Sequence, residues 1–115
     1  MDDAKVIEKR IGKREEINPF SWISLGNIAY NERDYNKAIK YYRKAKKLAP
    51  YLHEVYGGIA RAQFQLGNQD AANQSLKKAL EKSNKYEVKD MYQQKLKLLK
   101  QLLTKNTPVL IKSEQ

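Results

Sequence analysis

Trp22, Leu25, Gly26, Tyr30, Ala38, Tyr42 and Ala45 recur 34 residues further on as Tyr56, Ile59, Ala60, Phe64, Ala72, Leu76 and Ala79. A fixed period of that length constrains the fold more than any other feature of the chain. Each copy is one supersecondary unit that cannot bury its apolar face alone and must stack on its neighbour. The spacing inside the copy specifies helices. Trp22 and Leu25 sit one turn apart, and Gly26 removes a side chain beside them, so that a second helix can approach closely. Ala38, Tyr42 and Ala45 share one face of the next segment, with the tyrosine filling space that the alanines leave open. Pro50 cannot continue a helix and biases Ala49 towards extended geometry. The unit is therefore a helical hairpin, and the fold class is all-α.

The spacing Trp22-x2-Leu25-Gly26, Ala38-x3-Tyr42, Ala45 and Pro50 resembles the tetratricopeptide repeat, whose period is 34. The likeness runs from residue 19 to about residue 85. Ala29 stands where that family usually has tyrosine, and Asn84 where a proline would close the second repeat. The resemblance implies an array of about two hairpin repeats with flanking or capping helices, acting as a scaffold that binds a protein or peptide partner. In that family the first helix of each repeat lines a concave groove. Carried over position by position, the groove residues are Phe20, Ile23, Asn27, Tyr30 and Asn31, then Glu54, Gly57, Arg61, Phe64 and Gln65. The chaperone-tail branch of the family uses a Lys, Asn and Arg clamp on a terminal carboxylate. Here Ile23 occupies the first lysine position and only Asn27 remains in the first repeat, so a chaperone-tail adaptor is disfavoured.

Around the repeats, residues 1–17 read as an N-terminal capping helix or the worn end of an earlier repeat. Val6, Ile7 and Ile11 fall on one side of it, but Glu8 falls under the buried Tyr42. Residues 18–84 hold the two repeats, with helices expected over 20–32, 35–48, 52–66 and 69–83; Asp34 is the natural cap of the second, and Gly67-Asn68 the turn and cap before the fourth. Residues 85–105 carry Val88, Met91, Tyr92, Leu96, Leu99, Leu102 and Leu103 at helical spacing and are expected to cap the array. Residues 106–115 are a tail with a short apolar run, Val109-Leu110-Ile111. Because such arrays need about three units, the flanking helices complete the core, or the chain belongs to a longer protein, or it pairs with itself as a weak homo-oligomer.

Chemistry-bearing clusters are sparse. Cysteine is absent, so there is no disulfide framework, thiolate nucleophile or cysteine metal site. His53 is the one histidine, without a second His or Cys to share a metal, and reads as an exposed or capping residue. Glu15-Glu16 and Asp2-Asp3 are sequence neighbours that diverge on a helix rather than converge. Gly57-Gly58 lies within a helix and lacks the Lys-Ser/Thr of a phosphate loop. It serves tight helix packing or the approach of a ligand backbone. No catalytic residue, cofactor or metal is expected, and the chain reads as a binding module rather than an enzyme. No apolar run reaches the roughly 18–20 residues of a membrane span, and no export signal opens the sequence, which points to the cytoplasm.

The net charge of +10 offers the competing function. Lys37, Lys40, Arg43, Lys44 and Lys47 share a helix face, and no acid intervenes between Tyr35 and His53. Such a face suits nucleic acid or another anionic surface. An accessory domain of a larger enzyme is a third alternative. Nucleic acid is disfavoured because 18 of the 23 basic residues are lysine, whereas phosphate and base recognition leans on arginine. The basic face also belongs to the helix that points away from the groove.

Overall fold

The computed structural model describes residues 18–105, which form five α-helices: α1 (Pro19–Asn31), α2 (Tyr35–Leu48), α3 (His53–Gln65), α4 (Gln69–Lys82) and α5 (Tyr86–Lys105). The segments expected as a leading helix (1–17) and a tail (106–115) lie outside the described residues. Helices α1 and α2 form one hairpin, α3 and α4 the second, and α5 packs on α4. Helix α2 also packs on α3, and α1 touches α3, so the first helices of the two repeats stand side by side.

Local chemistry explains the boundaries. Asn18 caps α1 by accepting from the Phe20 N–H at 2.9 Å, with Pro19 at the first helical position where no N–H is needed. The Asp34 carboxylate accepts from the Lys37 N–H and starts α2. Asn68, expected to cap α4, makes no side-chain cap bond. Before α2 and α4 the chain turns through left-handed backbone at Arg33 (φ 65°) and Gly67 (φ 87°), the same position in successive repeats. Glycine adopts that conformation freely and arginine does not. After α2, the Tyr56 hydroxyl donates to the Pro50 carbonyl at 2.6 Å, which ties the inter-repeat loop to α3.

The core runs along the repeat positions. Leu25, Ala29, Ala38, Tyr42, Ala45, Val55, Ala60, Ala72 and Ala79 are buried, and Tyr92 and Leu99 of α5 continue the cluster. Tyr42 is its pivot. A Cβ at Gly26 would lie 2.5 Å from the Tyr42 ring, and one at Gly58 would lie 2.7 Å from it. The tyrosine ring therefore packs closely against a glycine of its own repeat and a glycine of the next. The close approach at Gly26 is thus made by one aromatic side chain that links both repeats.

A candidate partner groove along α1, α3 and α5

Tyr42 is fully buried, and its hydroxyl ends between α1 and α3. There it donates to Asn27 Oδ1 at 2.6 Å and accepts from Arg61 at 3.2 Å. Arg61 also donates to Asn27 Oδ1 at 3.0 Å, and its guanidinium lies 4.0 Å from the centre of the Tyr30 ring. Gln65 donates to the Tyr30 hydroxyl at 3.3 Å. Burial pushes the Tyr42 hydroxyl above its ordinary pKa, opposed by the bond and charge of Arg61. Asn27, Tyr30, Arg61 and Gln65 therefore form one inter-repeat network. Much of its hydrogen-bonding capacity is spent within the protein, so these residues set the shape of the surface as well as its chemistry.

The remaining residues expected at the groove divide. Phe20 and Phe64 are exposed, at 54% and 37%, and Asn31 is exposed at the end of α1. Glu54 is exposed, with a carboxylate oxygen 3.7 Å from His53 Nε2. Ile23 is buried and belongs to the core cluster, so it offers little groove surface. Gly57 is covered by α5: a Cβ there would meet the Tyr92 hydroxyl at 2.6 Å. Tight helix packing accounts for this glycine, and Gly58 is occupied in the same way by Tyr42.

The sequence pointed to α5 as a capping helix, with Tyr92 and Leu99 among its packing residues, but not to its link with α3 or its place along the groove. Tyr92 bonds His53 Nδ1 at 2.8 Å, sets its ring edge against the imidazole at 5.5 Å, and is pushed up to about pKa 12, chiefly by burial and then by the charge of Glu54. His53 is a half-buried partner of this latch rather than a free surface residue. Farther along, α5 meets α3 and α4 around an apolar cavity of about 150 Å³, lined by Phe64, Leu76, Leu98, Leu99 and Leu102, with Arg61 and Lys95 among its walls. The signal for this was in the period. Lys95 and Leu98 stand 34 residues after Arg61 and Phe64, so that face keeps its register into α5. The packing positions do not, since Tyr56 and Ile59 are followed at that interval by Asp90 and Gln93.

On the opposite side of the hairpin, Arg43, Lys44, Lys46, Lys47 and Pro50 line a shallow open hollow. Among the described residues, none of these cations pairs with a carboxylate. Two are drawn onto aromatic rings instead: Lys44 lies 4.6 Å from the centre of Trp22 and Lys46 5.7 Å from that of Tyr56. Among the described residues there is also no cluster of three metal-ligating side chains, and no helix is long and apolar enough to cross a membrane.

Comparison with known proteins agrees with this architecture. Residues 19–52 and residues 53–86 each match a family model described as tetratricopeptide repeat. Among solved structures, the fold is similar to the type III secretion translocator chaperone SycD of Yersinia enterocolitica, with a TM-score of 0.81 at 20% identity, covering 90% of this chain and 73% of that one. It is also similar to YrrB, described as a TPR protein with an unusual peptide-binding site, with a TM-score of 0.64 at 19% identity over 82% of this chain. This chain spans 50% of the length of YrrB. With two adjoining repeat matches over a stack of paired helices, the chain belongs to the tetratricopeptide repeat family.

Proposed function

We propose that this chain is a non-catalytic interaction module that holds an extended or helical segment of a partner protein against the face formed by α1, α3 and α5. The observation that carries the proposal is the exposed Phe64, which stands beside an Arg61–Tyr30 stack that is already locked by Asn27, Tyr42 and Gln65. Aromatic and arginine side chains dominate binding hot spots, and those fixed before binding lose little entropy on association. Membership of the repeat family and likeness to a translocator chaperone and to a protein with a peptide-binding site support the same kind of function. A nucleic-acid role for the α2 face has less support, because Lys44 and Lys46 are engaged with the Trp22 and Tyr56 rings and the patch is lysine-rich.

Photo-crosslinking separates the two. A benzophenone amino acid at position 64 should capture a protein in extracts of the source cells, and the same probe at position 47 should not. Capture of nucleic acid from position 47 alone would assign the function to the basic face.

A further inference from the structure

We infer that the cavity between α3 and α5 receives one large apolar side chain of an acidic peptide, so that the preferred ligand carries a leucine- or phenylalanine-sized anchor flanked by aspartate or glutamate. This rests on the groove reading and deepens it. Phe64, Leu98, Leu99 and Leu102 supply an apolar lining, and the volume of about 150 Å³ suits one side chain. An apolar space of roughly that size is large enough for a benzene-sized group. The charged residues of the lining are Arg61 and Lys95, both cationic, with no carboxylate among them. Lys95 is exposed and has no ion-pair partner among the described residues. Arg61 gives one nitrogen to Asn27 and Tyr42 and keeps other N–H donors on its fork. Leu98 is 56% exposed, a high value for a leucine whose neighbour Leu99 is buried, and it lies in repeat register with Phe64. The site thus pairs an open apolar socket with two cations in repeat register, a combination that selects a carboxylate beside an anchor.

The test is panning of a phage-displayed library of random 12-residue peptides against the full chain, followed by fluorescence polarisation of synthetic winners. Enriched peptides should combine one large apolar residue with nearby acids, and should lose at least tenfold in affinity when the anchor becomes serine or the acids become lysine. Leu98→Lys should weaken binding at least tenfold, and Lys95→Glu should invert the preference from acidic to basic flanks. Both sites are exposed, and circular dichroism checks that the variants fold. Winners that bind tightly but are basic, lack an anchor, or ignore Leu98→Lys and Lys95→Glu overturn this inference while leaving the groove reading intact. If no peptide binds the α1–α3–α5 face, both fall. A synthetic peptide of residues 106–115 serves as competitor: if it displaces the winners, the chain's own tail is the occupant and the proposal is wrong. A shift to dimers that Leu98→Lys abolishes would likewise assign the socket to a second copy.

Discussion

Replacing Gly26 with alanine adds a single methyl group, and the structure makes its cost calculable in sign and scale. The new Cβ would lie 2.5, 2.7 and 2.9 Å from three atoms of the Tyr42 ring, well inside van der Waals contact. The ring has little room to retreat, because a Cβ at Gly58 would also lie 2.7 Å from it, so that this backbone too packs closely on the ring, and its hydroxyl is bonded to Asn27 and Arg61. Overpacking of this kind costs about 1–3 kcal/mol. Alanine recovers up to about 1 kcal/mol of helix propensity. With the ring packed on two glycine backbones and tethered at its hydroxyl, the steric cost falls at the upper end, leaving a net loss of about 1–2 kcal/mol. For a domain of this size that corresponds to a fall in Tm of about 5–10 °C. Urea and thermal unfolding measure it directly, and a double-mutant cycle with Tyr42→Leu should show that most of the loss disappears when the ring is gone. An unchanged or raised Tm for Gly26→Ala, or a loss that persists in the Tyr42→Leu background, would refute the placement of Tyr42 between the repeats.

Gly67→Ala should cost about 1 kcal/mol through backbone strain alone, since its φ is 87° and a Cβ would meet nothing within 4 Å; equal stability would show that the turn relaxes. Arg61→Ala should lower stability by about 1 kcal/mol by removing its bonds to Asn27 and Tyr42 and its stack on Tyr30, and Arg61→Lys should fail to restore it because the planar fork is lost; calorimetry decides. Tyr92 has a folded pKa raised from 10.0 to about 12, so the unfolded chain ionises first as pH rises. The stability it contributes is complete below pH 10 and is lost between pH 10 and about 12, at up to about 1.4 kcal/mol per pH unit. Urea midpoints of the wild type should therefore fall more steeply over that range than those of Tyr92→Phe, and parallel profiles would contradict the burial of the hydroxyl.

The hairpins were legible because their determinants are local or periodic. The Asp34 cap, the Pro50 stop and the alternation of Ala38, Tyr42 and Ala45 each act within a few residues, and the 34-residue period repeats the answer. The groove was legible less completely. Helical spacing places Ile23 on a face but does not show whether a neighbour covers it, and in the fold it is buried. Asn27 and Arg61 were expected at the groove, yet each is bonded to the Tyr42 hydroxyl, which comes from α2 and ends between α1 and α3 because Gly26 and Gly58 leave room for its ring. The link from α5 to α3 was hidden for another reason. Its packing residues leave the repeat register, so nothing in the period predicts that Tyr92 will lie on Gly57 and bond His53.

The central claim is that partners engage the α1–α3–α5 face, and the most direct test is amide chemical-shift mapping by NMR, with 15N-labelled protein titrated with a partner captured by the position-64 crosslinker. Shifts should concentrate at Asn27, Tyr30, Arg61, Phe64, Gln65, Lys95 and Leu98, with Lys40, Arg43, Lys44 and Lys47 of α2 unmoved. Shifts confined to those α2 residues, with the other face silent, would contradict it.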